Sequence, residues 1–271
     1  MSFMGRVAEM QWVWEPFTPR GVAAFARSRL SSLLAVQAVV AMAAAFLVVW
    51  VLDHGFAPTL TQAIQQLPDS GRISDGNLTL TDSNPRMLAW GNFLAIDLDL
   101  HHSGEIRSPA QFQFEFGGDS LLIISLFGEL ELDYPPGQSF YFDRVDLEPK
   151  WAAWKPDLLG MAGVGVFLAL MLTWSLLATL YMGPVWLAGF FANRDLSLIQ
   201  SWKLAGATLM PGAMIMGLSI WFYGEGVFDL VRLFFGFAMH LLVGWIYVLI
   251  SPVFLPGAKS EMAENPFARK G

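Results

Sequence analysis

Asp97, Asp99 and His101 fall at alternate positions in Asp97-Leu98-Asp99-Leu100-His101-His102. An extended backbone projects all three from one face, where two carboxylates and an imidazole could gather a divalent metal or a small ligand. The same alternation, with Leu94, Ile96, Leu98 and Leu100 opposite Ala95, Asp97, Asp99 and His101, also describes the solvated face of a half-buried strand. The spacing matches no metal-binding motif, so a solvated face is the expectation and ligand or metal binding the chemical alternative. No bound cofactor is expected.

His240 is a second candidate. It is the one ionisable residue well inside an apolar run, and such groups serve as proton relays or ligand contacts. It has no Asp, Glu, Lys or Arg in any apolar run to pair with. Gly236, His240 and Gly244 share a helix face. A neutral imidazole hydrogen-bonded to a neighbouring helix is therefore the expectation. Pro211-Gly212 should kink the apolar run that contains it, or mark an unwound transport segment.

Signatures of other chemistry are absent. There is no Gly-x-Ser-x-Gly elbow, His-Glu-x-x-His pair or glycine-rich phosphate loop. Without cysteine there are no disulfides, thiol nucleophiles or Cys-ligated zinc. A non-enzymatic role follows as the expectation. Asn77-Leu78-Thr79 fits a glycosylation acceptor, which matters only in a eukaryotic secretory route.

The elements around these residues are those of a membrane protein. The 271 residues are 55% hydrophobic and 14% charged, with a mean hydropathy of +0.48. Ser31–Leu52 is uncharged and long enough to span a bilayer. It exceeds the apolar core of a cleaved signal peptide, so it reads as an uncleaved anchor. Leu158–Met182, Leu204–Tyr223 and Leu233–Leu255 form three more spans. Residues 183–203 are read as an interfacial loop, residues 224–232 as a short loop on the opposite side, and residues 256–271 as a tail.

Ahead of the first span, residues 1–30 carry Trp12, Trp14, Phe17 and several Arg. Pro19 could open a short helix with Val22, Phe25, Ala26 and Arg29 at helical spacing, read as an amphipathic elbow on the membrane surface.

Between the first two spans, residues 53–157 hold 16 Asp and Glu against 6 Lys and Arg. That acidity disfavours nucleic acid as a partner. Leu60, Ala63, Ile64 and Leu67 mark one short helix stopped by Pro68. Alternation at Leu78–Leu80, Phe93–His101, Phe112–Phe116 and Glu129–Tyr134, with the apolar run Leu121–Phe127 and a last Phe140–Phe142, gives five to seven strands. Gly117-Gly118-Asp119 reads as a turn between two of them. The fold class is thus a four-span α-helical membrane protein with a small, antiparallel, β-rich (α+β) domain.

Nine Lys and Arg (Arg6, Arg20, Arg27, Arg29, Arg194, Lys203, Lys259, Arg269 and Lys270) flank one side of the spans. Five (Arg72, Arg144, Lys150, Lys155 and Arg232) flank the other. The bias places both termini in the cytoplasm and the β-rich domain outside a bacterial inner membrane.

Three motifs add a resemblance. Pro16-Phe17-Thr18-Pro19 precedes the first span. Gly71-Arg72-Ile73-Ser74-Asp75-Gly76 leads to Leu94-Ala95-Ile96-Asp97, and Ala207-Thr208-Leu209-Met210-Pro211 opens the third span. With Tyr247 late in the last span, the chain resembles a poorly characterised bacterial multi-pass membrane family that includes a maltodextrin-utilisation-associated membrane protein. Asp97-Leu98-Asp99-Leu100 and the many Trp residues depart from it. The resemblance implies one span, an extracytoplasmic β-rich domain and three further spans, and supplies no catalytic residues. Together these features point to an accessory or scaffold protein that binds a membrane or periplasmic partner or ligand. The alternative is a transport component with a path near Pro211, Gly212 and His240, a reading that homo-oligomerisation would favour.

Overall fold

A computed structural model describes residues 17–82 and 84–257. Trp12, Trp14, Arg6, Lys259, Arg269 and Lys270 lie outside them. The described helices are α1 (Pro19–Ala24), α2 (Leu30–Val51), α3 (Ala57–Gln65), α4 (Arg144–Phe191), α5 (Leu198–Gly224) and α6 (Leu230–Ile250). Eight strands lie between α3 and α4. Among the described residues, four helical segments are long and apolar enough to cross a membrane. The chain divides into two compact units.

The first unit holds residues 17–43, 167–216 and 236–257. Thr18 caps α1 by accepting from the Gly21 amide at 3.0 Å, and Pro19 occupies the first turn, where its missing N–H is harmless. The segment is amphipathic, with Arg20, Arg27 and Arg29 exposed on one side and its apolar side chains packed on the other. Val22, Ala23, Phe25 and Ala26 are buried against Leu33, Ala178, Val185, Leu204, Ala205 and Val248. The Phe17 carbonyl accepts from the Tyr247 hydroxyl at 2.6 Å, and the Ser28 carbonyl accepts from Lys203 Nζ at 2.7 Å.

Within the most apolar window of α5, 61% is buried, against 28% or less in the other three membrane-length segments. Its hydropathy is also the lowest, 1.5 against 2.0–2.4. A helix shielded by its neighbours needs less apolar surface, and Ser201 and Thr208 are buried on it. Gln37 is a polar residue within the apolar helix α2. It is buried and donates Nε2 to the Gly206 carbonyl at 3.2 Å, joining α2 to α5 where Gly206 admits close approach.

The second unit holds residues 44–166 and 217–235. A π-helical turn over Leu52–Phe56 passes α2 directly into α3. The Trp151 indole of α4 donates to the Thr61 hydroxyl at 2.8 Å, and Lys155 pairs with Asp53 at 2.7 Å. A three-stranded sheet runs β2 (Asn77–Leu80), β1 (Gly71–Ser74), β8 (Ser139–Tyr141), and a five-stranded sheet runs β3 (Arg86–Trp90), β4 (Leu94–Leu98), β5 (Phe112–Phe116), β6 (Ser120–Ser125), β7 (Gly128–Asp133). Ala63 of α3, Leu67 just beyond its end and Leu147 of α4 pack with Leu94, Ile96, Leu98 and Phe142 into the domain core.

Three expectations change. The large sheet is mixed, because β4 and β5 pair in parallel while its other pairs are antiparallel. The expected second span, residues 158–182, belongs to a 48-residue helix that begins at Arg144, inside the expected outer domain. The expected loop over residues 183–203 is mostly helix, since α4 runs to Phe191 and α5 starts at Leu198. Neither helix end carried a strong sequence stop, because Trp, Phe and Leu suit a helix and an interface equally.

Candidate functional site

A parallel strand pair cannot be closed by a tight turn. The chain leaving β4 at Leu98 must cross over before entering β5 at Phe112, and residues 99–111 make that crossing. They cover the sheet face expected to be solvated. Asp97 and Asp99 are fully buried, while His101 is exposed.

The covered face is a polar network. Asp97 and Glu115 are register partners on adjacent strands, and both are buried. Asp97 Oδ1 accepts from Gln113 Nε2 at 2.9 Å, and that amide also donates to the Ile106 carbonyl at 3.1 Å. Asp97 Oδ2 and Glu115 Oε2 accept no hydrogen bond, although Arg107 Nη1 approaches Glu115 Oε2 at 3.9 Å. Burial pushes the Asp97 carboxyl up to about 7, with Glu115 and Asp99 adding to the rise against the Gln113 hydrogen bond and Arg107. Asp99 behaves oppositely. Burial raises it, but the Ser103 hydroxyl and the His101, Ser103 and Gly104 amides hold its carboxyl below the usual range. Its job is to cap the turn that starts the crossover.

His102 closes the network. Its Nδ1 meets Glu115 Oε1 at 2.5 Å and its Nε2 meets the Ser120 hydroxyl at 3.1 Å. Ser120 in turn donates to Glu131 at 2.9 Å. A Cβ at Gly117 would lie 2.0 Å from His102 Nε2, so Gly117 makes room for the imidazole as well as turning the chain. The order Glu115, His102, Ser120 is that of an acid, a base and a nucleophile. Two facts argue against that use. Ser120 is only 1% exposed, and Glu131 already takes its single hydroxyl proton. The arrangement ties the crossover to β5, β6 and β7.

The sequence-selected residues are therefore separated in role. Asp97 and Asp99 lie under the crossover and His101 outside it. Among the described residues no group of three or more His, Asp or Glu side chains is placed to hold a metal. His102, Glu115 and Ser120 were passed over because their meeting depends on a parallel pairing that alternation alone does not reveal.

Within the first unit, His240 Nδ1 bonds the Phe237 carbonyl of its own helix, not a neighbouring helix. It borders a cavity of about 40 Å³ with Trp174, Tyr181 and Leu209. That is room for little more than a water or two. Helix α5 is unbroken through Pro211. A Cβ at Gly212 would lie 2.5 Å from the His240 carbonyl oxygen, so this glycine lets α5 and α6 approach. On the small sheet, an open cleft of about 440 Å³ is bordered by Asp69, Arg72, Tyr141 and Asp143. Arg72 is engaged by the Ser139 hydroxyl at 2.8 Å, and Asp143 accepts from the Asp146 amide at 2.8 Å.

The remaining candidate is a surface. The apolar face of the large sheet is covered over β4 but open toward β7. Pairs Phe114–Ile123–Leu130 and Phe116–Leu121–Leu132 continue that face across three strands. On β7, Leu130 and Leu132 of that face are 56% and 44% exposed, and Leu126 and Phe127 of the adjoining β6–β7 turn are 64% and 68% exposed. Among the described residues β7 pairs only with β6, which leaves its outer edge open. No family model, no curated protein and no solved structure matches the chain.

Proposed function

We propose that this chain is a non-enzymatic scaffold of a bacterial inner membrane, whose β-rich domain docks a protein partner on the β6–β7 hairpin outside the cytoplasm. The observation that carries this reading is the open apolar face. Leu130 and Leu132 on the edge strand β7, with Leu126 and Phe127 in the adjoining turn, are large and exposed, and exposed apolar patches mark interaction sites.

Orientation draws support from charge. In the described part of the first unit, Arg20, Arg27, Arg29, Arg194 and Lys203 stand against one acid, Asp195. Lys and Arg concentrate on the cytoplasmic side of membrane spans. The lipid bilayer is the other partner, and a homo-oligomer is compatible with the lipid-facing helices. Transport is the weaker reading, since α5 does not unwind at Pro211 and the cavity at His240 is small.

The test is a photo-crosslinking residue placed at Phe127, Leu130 or Thr79 of the full chain in native membranes. Docking predicts one adduct mass from Phe127 and Leu130 and none from Thr79, which is exposed on the other sheet. Equal adducts at all three positions, or none at any, would overturn it.

A further inference from the structure

Resting on that docking reading, we infer that the occupant is an extended segment of a partner protein, added to β7 as a sixth strand and alternating apolar residues with Lys or Arg. The open edge offers a row of backbone donors and acceptors along Gly128–Asp133. Side chains of an added strand lie beside those of β7 on each face. On one face they meet Leu130 and Leu132; on the other they meet Glu129, Glu131 and Asp133. The first face calls for apolar residues and the second for cations. Neither β6 nor β7 carries Lys or Arg to neutralise those acids.

The same charges disfavour a second copy. Two β7 edges related by a two-fold axis run antiparallel with matching faces, which sets acids opposite acids. An anionic lipid surface is repelled for the same reason. The acidic row thus blocks self-association while leaving the edge open to a basic strand.

The probe is an eleven-residue peptide of alternating Val and Lys, with two companions. One has Glu for Lys, and the other keeps Lys but carries N-methylated backbone amides. Binding to the full chain is measured in nanodiscs of zwitterionic lipid. The Lys peptide should bind roughly ten-fold or more tighter than either companion. A variant with Glu129→Lys, Glu131→Lys and Asp133→Lys should reverse the preference toward the Glu peptide. Equal binding of the Lys and Glu peptides, full binding by the N-methylated peptide, or no reversal would overturn strand addition. Failure of every peptide while Leu130 still crosslinks one protein in membranes would also overturn it and leave docking standing. Loss of the crosslink overturns docking itself.

Discussion

Replacing Asp97 by Asn should make the sheet more stable at neutral and alkaline pH and leave it unchanged in acid. The carboxyl is fully buried, with Oδ1 bonded by Gln113 and Oδ2 unpartnered beside Glu115. Its folded-state value of about 7 stands above the ordinary 3.8. A raised carboxyl binds its proton more tightly in the fold, so its stabilising protonated form is fully present below about 3.8. The contribution is lost between about 4 and 7 as pH rises, at roughly 1.4 kcal/mol per pH unit, and reaches a ceiling of about 4 kcal/mol. Asn mimics the protonated acid and keeps an oxygen for Gln113. The facing groups Glu115, Asp99, His102 and Arg107 remain in both proteins. Amide hydrogen exchange in β4 and β5 of the full chain, corrected for intrinsic rates, gives the local opening free energy at each pH. Equal protection near pH 4 and an advantage for Asp97→Asn growing to several kcal/mol at pH 8 is expected. A difference that is flat with pH, or one that grows toward acid, would refute the reasoning.

Three further outcomes follow from the packing. His102→Ala strips Glu115 Oε1 of its partner and should lower exchange protection in β5 by about 1–3 kcal/mol, while His101→Ala, at an exposed site, should change it little. Gln37→Leu removes the bond to the Gly206 carbonyl and should lower the unfolding midpoint in mild detergent by an amount equivalent to about 1 kcal/mol. Gly212→Val forces a Cβ against the His240 carbonyl and should destabilise the bundle by about 1–3 kcal/mol or more, seen as early aggregation on size-exclusion chromatography, whereas His240→Phe should be milder.

Much of the architecture was legible because its signals are local. Four uncharged runs marked the membrane-length helices, and alternation marked β4, β5 and β7. The short helix appeared around Leu60, Ala63 and Ile64, though it ends at Gln65, before Leu67 and Pro68. Longer-range facts were hidden. Asp97 looks solvated because alternation shows that two faces differ and says nothing of what covers the second. Only the parallel pairing of β4 with β5 brings residues 99–111 over it. The strand β1 has just four residues around Ile73, too few to show a period, and β3 is irregular between Met87 and Ala89. Gln37 is one amide in an apolar helix, and its partner is a backbone carbonyl that no side-chain pattern announces. The exposure of Leu130 and Leu132 was equally unreadable, since an apolar face normally predicts burial.

The most direct test of docking uses the absence of cysteine. Leu130→Cys and Thr79→Cys each place a single thiol in the full chain, one on the proposed interface and one on the small sheet. Maleimide labelling rates are compared in native membranes and after purification. If a partner occupies the β6–β7 face, the thiol at position 130 labels slowly in membranes and fast once purified, while the thiol at position 79 labels alike in both. If position 130 labels as fast in membranes as it does purified, no partner covers that face and the scaffold reading fails.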